Sequence, residues 1–505
     1  MKYQLSIKEI ANYFGKDTES TSIITGISYD SRDIKEGDIF VCLQGEKTDG
    51  HNYINEAEQK EAKAILAHKD ISSSLPTIYV KDTQIAIAEL ASFFYKEPSK
   101  KIKIIGVTGT NGKTTTTHLI QHILEKNNLK TALIGTLGVK ENISANYYDA
   151  KHTTPQAPDL QKQLSSFVEQ GFSYISMEVS SHALSLHRVD GCNFSSAVLT
   201  NITQDHLDFH LTMDEYSRAK QKLFEMLNTS SWSKKYAILN SDDKSIDDFK
   251  KSITKNISLL TYGIKNKADF SAREITFSSE GVSFTLISPK GIHKVKSKLN
   301  GLFNVYNILA AICIVYGEGI EIEKIVESIY SASEVAGRFQ IIHNKNNPDS
   351  PICIVDYAHT PDGLENILKA ARLIVDENKK NYPGKLSNLI CVFGCGGDRD
   401  PTKRPKMGGL AEELSDLVII TSDNPRSEDP KQIINDILSG IKNTSRIIVE
   451  SDRRNAIQTA IKKASKHDVI VIAGKGHEDY QILHDKTIHF DDREEVKKAL
   501  EKIKC

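Results

Sequence analysis

Apolar and polar positions alternate along the chain in patterns that predict its organisation. Up to about residue 100, the segments TSIITGISYDSR and GDIFVCLQG have the β-branched content of strands, and YINEAEQKEAKAILAH has the spacing of a helix. From about residue 102, apolar strands such as KIKIIGVTG, TALIGT, YISMEVS, SAVLTNI and YAILNS alternate with helical segments such as TTTTHLIQHILEKN. Strands that are apolar throughout and separated by helices indicate a parallel sheet covered on both faces.

A second run of the same kind begins after Gly337. The segments ICIVDY, NLICVFG, DLVIITSD and DVIVIAGKG are buried-type strands, and amphipathic helices such as PKQIINDILSGI follow most of them. The polar stretch VAGRFQIIHNKNNPDSP separates the two runs. We therefore predict an α/β protein with a small first domain and two larger parallel-sheet domains.

Composition and charge narrow the class of protein. The chain of 505 residues is too long for one small module. Its 65 Lys plus Arg against 66 Asp plus Glu argue against a nucleic-acid-binding protein, which normally carries a basic excess. No long apolar run and no apolar leader occur, and the seven cysteines are scattered without a CxxC pair. We expect a cytoplasmic protein that binds neither nucleic acid nor membrane.

The loop after the first central strand carries the clearest chemistry. It reads GVTGTNGKTTT, and its backbone N–H groups together with the following helix N-terminus would form a positive site for phosphates. Lys113 would reach the β- and γ-phosphates, and the Thr114 hydroxyl would hold magnesium. The loop varies the P-loop pattern, because Val107 replaces a glycine and Gly109 lies three residues before Gly112. A purely structural glycine turn is the alternative, which the strand–loop–helix context disfavours.

Two later segments place polar side chains after strands. Glu178 ends the strand YISMEVSSH at the carboxyl edge, where ligands gather in parallel sheets, and would be a second magnesium ligand. TNITQDHLDFH brings Asp205, His206, Asp208 and His210 into one loop. Such a cluster alone is weak, since loops are commonly polar. Beside the P-loop and Glu178 it becomes a candidate metal and phosphate site.

These motifs together resemble one enzyme family. TGTNGKTTT, MEVSSH, NITQDHLDFH, GLFNVYNILAA, GRF and DYAHTPD occur in the order found in the Mur ligases and the related folylpolyglutamate synthetases, and the match runs from DSR to GKGHEDYQ. The family's own P-loop has the TGTNGKT form, so Val107 is no departure. The resemblance implies an N-terminal UDP-sugar-binding domain (1–100), a central P-loop NTPase-like ATP-binding domain (101–337) and a C-terminal Rossmann-like domain that binds the incoming amino acid (338–505).

The resemblance also implies an activity. Within the family, the sequence is most similar to the members that add meso-diaminopimelate to UDP-N-acetylmuramoyl-L-alanyl-D-glutamate in peptidoglycan precursor synthesis. ATP and Mg²⁺ are the implied cofactors, and those two compounds are the implied substrates. The D-glutamate carboxylate would take the γ-phosphoryl group of ATP, and the amino group of the second substrate would attack the resulting acyl phosphate. A monomer that closes its hinged domains on the substrates is expected.

Catalytic, metal and nucleotide roles follow from matching positions. Thr114, Glu178 and His206 would hold Mg²⁺, and Lys220, in DEYSRAKQKLF, would be carboxylated to N6-carboxylysine, because a carbamate is an oxygen ligand and an ammonium is not. Without the resemblance, Lys220 would be interpreted as a solvated helix lysine. The implied catalytic residues are Lys113, Glu178, His206 and Lys220. The implied ATP contacts are Gly109, Thr110, Asn111, Gly112, Lys113, Thr114, Thr115, Asn304, Asn307, Arg338 and Asp356.

The sugar-nucleotide contacts lie in the first two domains. ISYDSR matches the uridine-contacting segment, and KHTTPQ and VSSHALSLHRV match the muramoyl-dipeptide contacts. Two departures from the family pattern bear on individual contacts: His152 stands where relatives often carry Asn, and Leu186 stands where they often carry Gln. The implied contacts are Tyr29, Ser31, Glu46, Lys47, Thr48, His152, Thr153, Thr154, Ser180, Leu186 and Arg188.

The segment DNPR decides the expected amino acid. Pro425 stiffens the loop, and the guanidinium fork of Arg426 binds a carboxylate through two hydrogen bonds. Diaminopimelate has one carboxylate more than lysine, so an arginine aimed at that end favours diaminopimelate, and DNPR resembles the family's motif for it. Taken alone, DNPR is a common turn. The implied diaminopimelate contacts are Arg399, Asp423, Asn424, Pro425, Arg426, Gly474 and Glu478, of which Glu478 would pair with an ammonium group.

Several alternatives remain open from the sequence. A lysine-adding ligase or a ligase that attaches a ready-made tripeptide would share the architecture, and Arg426 disfavours the first. Folylpolyglutamate synthetase shares the P-loop and the second-metal segment but lacks DSR and DNPR. A catalytically silent nucleotide-binding scaffold is disfavoured by the intact P-loop lysine and metal-binding residues. His359, in DYAHTPDG, either orients nucleotide or phosphate or simply precedes a helix.

Overall fold

A computed structural model describes residues 3–45, 48–148, 152–278, 281–344, 347 and 349–502. Three successive parts of the chain each build a sheet of four or more strands. The fold is therefore the predicted three-domain α/β architecture. Within the described ranges, no helix combines the length and the apolar composition that crossing a membrane requires.

The first domain is small and built around a parallel sheet. Its strands are β1 (Leu5–Ser6), β2 (Ile23–Ile24), β3 (Gly26–Ser28), β4 (Asp38–Val41), β5 (Ala64–Ala67) and β6 (Thr77–Tyr79). Its helices are α1 (Ile7–Tyr13), α2 (Ile54–Gln59) and α3 (Thr83–Phe94), with short 3₁₀ turns at Ser31–Asp33, Gly50–Tyr53 and Pro98–Lys100. Strands β3 to β6 form the parallel sheet in chain order, and β1 pairs with β2 in antiparallel fashion.

One prediction in this domain is wrong. The segment YINEAEQKEAKAILAH is not one helix, because α2 ends at Gln59 and the residues AILA form strand β5. Glu61 adopts a left-handed backbone conformation with φ 62°, which ends the helical path. All four residues of β5 are buried, since β4 and β6 flank the strand. A short apolar run that is covered on both faces is stable as a parallel strand whatever precedes it.

The central domain contains a ten-stranded sheet. Its strands are β7 (Lys103–Thr108), β8 (Thr131–Gly135), β9 (Gly138–Lys140), β10 (Tyr174–Glu178), β11 (Ser196–Leu199), β12 (Tyr236–Asn240), β13 (Ser258–Gly263), β14 (Phe270–Ser278), β15 (Gly281–Ser288) and β16 (Gly291–Ser297). Its helices are α4 (Lys113–Lys126), α5 (Ala157–Glu169), α6 (Ser181–Ser185), α7 (Leu207–His210), α8 (Met213–Thr229), α9 (Ile246–Lys251), α10 (Leu302–Gly317) and α11 (Ile322–Tyr330). The strand order is β16-β15-β14-β13-β12-β11-β7-β10-β8-β9.

The predicted parallel sheet is confirmed for the strands from β14 to β8, but both edges are antiparallel. Strand β9 pairs with β8 at one edge, and β15 and β16 extend the other. Successive residues of β7 face opposite cores. Ile105 and Val107 pack with α4 and α10, and Ile104 packs with α5 and α8. Burial on both faces explains why this strand is apolar throughout.

The C-terminal domain has a six-stranded sheet and a separate hairpin. Its strands are β17 (Gln340–Ile342), β18 (Ile352–Asp356), β19 (Leu389–Phe393), β20 (Leu417–Ile420), β21 (Ile447–Val449), β22 (Val469–Ala473), β23 (Tyr480–Ile482) and β24 (Thr487–His489). Its helices are α12 (Pro361–Asn381), α13 (Lys403–Leu414), α14 (Pro430–Leu438), α15 (Arg453–Lys463) and α16 (Asp492–Glu501), with a 3₁₀ turn at Thr444–Arg446. The sheet order is β17-β18-β22-β19-β20-β21, antiparallel only at β17. The four strands predicted here are confirmed.

Sheet order determines which loops meet. In the central sheet, β10, β7 and β11 are neighbours, so the loops that follow them lie at one edge. In the C-terminal sheet, β18, β22, β19 and β20 are neighbours, so the loops at 357–360, 474–479, 394–402 and 421–429 lie at one edge of that sheet. The predicted site segments fall in these loops.

Candidate active site

A cavity of about 470 Å³ lies between the central and C-terminal domains. Its lining includes most of the predicted nucleotide contacts. From the central domain these are Thr110, Asn111, Gly112, Lys113, Thr114, Thr115 and Asn307, and the predicted metal ligands Glu178 and His206 also line the cavity. From the C-terminal domain they are Arg338 and Asp356. The structure therefore brings together residues that are more than 200 positions apart in the chain.

The loop before α4 requires glycine at two positions. Gly112 has φ 86°, and a Cβ there would lie 2.3 Å from Oδ1 of Asn307. Gly109 has φ 142°, and a Cβ there would lie 1.9 Å from Oγ1 of Thr200. Gly112 has no side chain to cap α4, so the first amide groups of this helix remain for a phosphate. Lys113 begins the helix, and its Nζ donates to the carbonyls of Gly109 (2.9 Å) and Thr110 (2.8 Å).

A fully buried carboxylate lies beside this loop. Glu178 ends β10, and its carboxylate accepts hydrogen bonds from Thr114 Oγ1 (3.1 Å), Thr136 N (2.9 Å) and Thr136 Oγ1 (3.0 Å). The Thr114 hydroxyl in turn accepts a hydrogen bond from Arg338 (3.1 Å). Among the described residues, no group of three or more His, Cys, Asp or Glu forms a complete metal site. One carboxylate and one hydroxyl oxygen next to a phosphate loop nevertheless fit Mg²⁺, which usually completes its shell with phosphate oxygens and water.

The loop after β11 carries an ionic cluster to which both domains contribute. Asp205 is buried, and its carboxylate lies 3.3 Å from His206 Nε2, 3.7 Å from His359 Nε2 and 3.7 Å from Lys403 Nζ. Burial alone would raise the pKa of Asp205, but His359, His206 and Lys403 together hold it well below its usual value. Burial lowers the pKa of His206 to about 3, so its ring is neutral and able to bind a metal. Of the other predicted members of this cluster, Asp208 is exposed on α7 and His210 is buried.

Lys220 lies on α8, behind the P-loop. Its side chain is 1% exposed, and its Nζ donates to the Gly109 carbonyl at 2.9 Å and lies 4.5 Å from the ring centroid of Tyr216. Burial, reinforced by the charge of Lys113, lowers its pKa well below the usual lysine value. The interpretation of Lys220 as a solvated helix residue is therefore wrong. Two lysine amines, those of Lys113 and Lys220, meet at one carbonyl.

The predicted nucleotide contacts from later segments form two small networks. Asn307 accepts from Thr116 Oγ1 (3.4 Å) and donates to Asn304 (3.0 Å) on α10, beside the P-loop. The Asp356 carboxylate accepts from the backbone amides of Phe339 (2.6 Å) and Ala358 (2.8 Å). Burial raises its pKa. Arg338 stacks on Tyr357, with its guanidinium carbon 4.4 Å from the ring centroid.

Contacts between the central and C-terminal domains include residues that the sequence reasoning missed. Asn111 Nδ2 donates to Asp362 at 2.6 Å. Gln204 donates to Asp400 (3.1 Å) and Thr402 (3.0 Å) and accepts from Lys406. Asp362 is the last residue of the DYAHTPD motif, so the sequence did contain a signal for it. Nothing in the local sequence around Gln204 points to the C-terminal domain.

The DNPR segment lies in a structured loop after β20. Asn424 is buried, and its amide donates to Glu478 (2.9 Å) and accepts from Lys475 Nζ (3.1 Å) and from Ile482 N (3.0 Å). Lys475 also pairs with Glu478 at 2.9 Å. Glu478 therefore already has an ammonium partner within the protein. Gly474, with φ 123°, leaves room for Asp423, since a Cβ would lie 2.4 Å from its carboxylate.

One arginine lies in this loop and a second lies in the neighbouring loop after β19. Arg426 donates from Nη1 to the Gly397 carbonyl (2.7 Å), and its backbone N–H donates to the Ile482 carbonyl (3.2 Å). Arg399 is exposed and donates to the Asp398 carbonyl at 2.8 Å. Of the described residues that line the cavity, none belongs to the DNPR loop. The predicted diaminopimelate contacts in this loop therefore lie outside the lining of the cavity.

Comparison with known proteins accounts for this combination of sites. Three family models match successive parts of the chain: the Mur ligase family catalytic domain at 23–95, the Mur ligase middle domain at 107–315 and the Mur ligase glutamate ligase domain at 337–476. The chain belongs to the Mur ligase family.

Curated relatives and a solved structure narrow the similarity to one branch of the Mur ligases. The chain is 45% identical to a UDP-N-acetylmuramoyl-L-alanyl-D-glutamate--2,6-diaminopimelate ligase from Bacillus cereus, over 94% of each chain. It is 43% identical to the enzyme of the same name from Bacillus licheniformis, over 99% of this chain and 98% of the relative. A solved structure of a ligase with that name superposes with a TM-score of 0.67 at 34% identity, covering 99% of both chains.

In this Mur ligase, the predicted uridine contacts include one buried side chain and one that reaches the central domain. Ser31 is buried and donates to Glu56 at 2.8 Å. Tyr29 donates to Asp159 at 2.6 Å, which ties the first domain to the start of α5 in the central domain. Thr48 is exposed. Glu46 and Lys47 lie outside the described residues.

The predicted muramoyl-dipeptide contacts of this Mur ligase approach the nucleotide cavity. Thr153 and Ser180 line it. Thr154 donates to the Glu178 carbonyl at 2.9 Å and accepts from Arg188 Nη1 through its own carbonyl at 3.3 Å. The remaining two contacts lie further out: His152 is exposed and Leu186 is the C-cap of α6.

Proposed function

We propose that this Mur ligase uses ATP to add meso-diaminopimelate to the D-glutamate of UDP-N-acetylmuramoyl-L-alanyl-D-glutamate. One observation carries the proposal: a cavity joins a phosphate-binding loop and a buried carboxylate to a C-terminal domain whose neighbouring loops present two arginines. The relatives named for this reaction support it. We further propose that the domains span 1–100, 101–337 and 338–505, and that the enzyme acts as a cytoplasmic monomer.

ATP binding follows from the loop before α4. The free amides of the helix start and the ammonium of Lys113 would neutralise the phosphates. Burial lowers the pKa of Lys113 in the free protein, and a nearby phosphate would restore the charged form. Mg²⁺, held by Thr114 and Glu178 with His206 and a carboxylated Lys220 at a second position, would withdraw charge from the phosphate oxygens when bound. Asn304, Asn307, Arg338 and Asp356 would fix the rest of the nucleotide.

The chemistry divides into two displacements. A D-glutamate carboxylate oxygen attacks the γ-phosphorus, the bond to the bridging oxygen breaks and ADP leaves, which gives an acyl phosphate. The diaminopimelate amine then attacks the acyl carbon, the C–O bond to phosphate breaks, and the amine loses a proton as the amide forms. The protein contributes mainly by holding anions together that would otherwise repel each other. Thr153, Thr154, Ser180 and Arg188 would hold the dipeptide arm.

Carboxylation of Lys220 fits its surroundings. Only an unprotonated amine attacks CO₂, and burial favours that form of Lys220. A new N–C bond forms and the nitrogen loses a proton, which leaves a carbamate anion close to the cationic Lys113. An uncharged amine next to the ammonium of Lys113 becomes an anion next to it, so the two side chains gain an electrostatic attraction that the free amine does not have.

Selection of diaminopimelate would rest on charge. Arg426 uses one donor on the Gly397 carbonyl, which fixes the guanidinium and leaves other donors for a carboxylate. Arg399 would add a second cation at the same edge. Glu478 and Asn424 would receive an ammonium group, with Lys475 holding Glu478 in place. Asp423, Pro425 and Gly474 would shape the loop.

The deciding experiment is phosphate release by the purified protein with ATP, Mg²⁺ and the UDP-dipeptide, supplied separately with meso-diaminopimelate, L-lysine or D-alanyl-D-alanine. In the arm with D-alanyl-D-alanine, the acceptor is the UDP-tripeptide, which already carries diaminopimelate, in place of the UDP-dipeptide. Release with diaminopimelate alone supports the proposal. Faster release with lysine would keep the ligase and overturn the assignment of Arg426. Release only in the UDP-tripeptide arm would show a ligase that acts one step later. No release in any arm would favour a ligase that attaches a ready-made tripeptide or a silent nucleotide-binding scaffold.

A further inference from the structure

Arg404 is a buried arginine behind the two arginine-bearing loops, and none of the functions above uses it. It lies on α13, and its side chain is 2% exposed. Nη1 donates to Asp436 at 2.8 Å, and Nη2 donates to Glu428 at 2.9 Å and to the Gly396 carbonyl at 3.2 Å. A buried guanidinium with three separate acceptors joins whatever segments carry those acceptors.

The three acceptors belong to three different segments. Gly396 lies in the loop after β19 that leads to Arg399, and Glu428 follows Arg426 by two residues. Asp436 is on α14, which packs against α13. One side chain therefore links both arginine-bearing loops to the helical layer of the domain.

Further hydrogen bonds join the two loops in front of Arg404. The Gly397 amide donates to the Asn424 carbonyl (2.9 Å), and Arg426 donates back to the Gly397 carbonyl (2.7 Å). Asp398 accepts from the Ser427 amide (3.2 Å) and hydroxyl (2.6 Å). A Cβ on Gly397 would lie 2.0 Å from the Pro425 carbonyl oxygen, so the loops are in close contact. A shift of Glu428 would consequently move Arg426 relative to Arg399.

Charge balance explains why a buried cation is placed here. Arg399, Arg404 and Arg426 would repel one another without acidic partners. Hydrogen bonds from Arg404 lower the pKa of Glu428 and of Asp436, so both stay ionised and neutralise it. Because Arg404 is buried and engaged, it cannot itself reach a substrate. The positive charge that faces the solvent side belongs to the other two arginines.

We propose that Arg404 is a positioning residue that fixes the spacing of Arg399 and Arg426 and thereby selects an amino acid with a carboxylate at its far end. The inference rests on the proposed diaminopimelate-adding function. Removal of one partner of a buried ion pair leaves the other unpaired, so loss of Arg404 would remove the link between Gly396 and Glu428, which holds the two loops together, and would leave Glu428 and Asp436 to repel each other.

The test compares Arg404→Met and Arg404→Lys with the matched control Arg372→Met. Arg372 belongs to the same domain and also binds a carboxylate and a carbonyl, those of Asp416 (2.8 Å) and Leu414 (2.9 Å), away from the two loops. Values of kcat and KM are measured for diaminopimelate, lysine, ATP and the UDP-dipeptide, and folding is checked by thermal melting. Arg404→Met should raise the KM for diaminopimelate by about thirtyfold and leave the KM for ATP within about threefold of wild type.

The Arg404→Lys variant should show a smaller rise in the KM for diaminopimelate than Arg404→Met, because it keeps the positive charge. The recovery should be only partial, since one ammonium cannot span three acceptors. The preference for diaminopimelate over lysine should fall by about tenfold in Arg404→Met and stay unchanged in Arg372→Met. A folded Arg404→Met enzyme with an unchanged KM for diaminopimelate would overturn the inference. An equal rise in the KM values for diaminopimelate, ATP and the UDP-dipeptide would overturn it as well, because a general structural defect would then explain the result.

If Arg404→Met does not fold, the Glu428→Gln variant tests the inference in its place. This variant keeps the shape of the side chain but weakens the link to Arg404, and it should raise the KM for diaminopimelate by about tenfold. No change in that KM would contradict the role of the link. A wild-type enzyme that does not use diaminopimelate at all would instead refute the proposed function, so the two failures are distinguishable.

Discussion

Replacement of Arg426 by alanine isolates the contribution of its guanidinium to amino-acid selection. The residue has φ 53°, a left-handed conformation that any residue with a Cβ adopts at similar cost, so alanine leaves the backbone penalty nearly unchanged. The side chain loses one hydrogen bond inside the protein, to the Gly397 carbonyl. The remaining effect measures what the guanidinium does for the substrate.

The size of that effect follows from the exposure of the side chain. A hydrogen bond to a charged group contributes about 1.5–3 kcal/mol, and Arg426 is only half-buried, so the lower end applies. Two bonds to one carboxylate then give about 3 kcal/mol, or roughly 100-fold in kcat/KM, since about 1.4 kcal/mol corresponds to tenfold. Lysine, with no carboxylate at that end, should gain a few-fold once the cation is gone.

The assay is phosphate release at varied diaminopimelate or lysine, with ATP, Mg²⁺ and the UDP-dipeptide saturating. The ratio of kcat/KM for diaminopimelate to that for lysine should fall by at least about 100-fold, and kcat/KM for ATP should stay near the wild-type value. Arg426→Lys serves as the matched variant that keeps the charge but not the fork. An alanine variant whose ratio stays within about threefold of wild type would refute the reasoning.

Three other changes test separate parts of the site. Lys220→Ala should abolish most activity, and acetate or formate should restore part of it by supplying the missing oxygen ligand, as measured by phosphate release. Gly112→Ala should raise the KM for ATP by about tenfold or more, because a Cβ 2.3 Å from Asn307 adds a clash to a backbone strain of about 1–2 kcal/mol. Tyr29→Phe should raise the KM for the UDP-dipeptide by a few-fold, because it removes the 2.6 Å bond to Asp159 that joins the first two domains.

Each of these has a clear contrary result. Full activity of Lys220→Ala would show that the buried amine serves packing alone. An unaltered KM for ATP in Gly112→Ala would mean that the loop does not hold the phosphates. For Tyr29→Phe, an unchanged KM for the UDP-dipeptide would show that the domain contact does not prepare the sugar-nucleotide site. The melting temperature of every variant provides the control for folding.

The sequence by itself determined most of the local elements and the glycine-rich loop before α4. Apolar strands such as β7 and β10 are covered on both faces, so their hydrophobic pattern is unambiguous. Gly109 and Gly112 have positive φ angles, which residues with a Cβ rarely adopt, so these glycines indicate the shape of the loop. Where a helix pattern and a strand pattern overlap, the sequence did not show which of the two elements forms. The residues of β5 continue a helical spacing, and only their place between β4 and β6 made them a strand.

The tertiary structure alone decided which polar residues act together. Asp205 meets Lys403, and Asn111 meets Asp362, across 198 and 251 positions of the chain. Their spacing in sequence carries no signal for these contacts, because the approach of two separately folded domains creates them. The same holds for Arg404, which resembles any helix arginine in sequence. Its burial between two carboxylates depends on how α13 and α14 pack. The attraction between opposite charges is strong only where water is excluded.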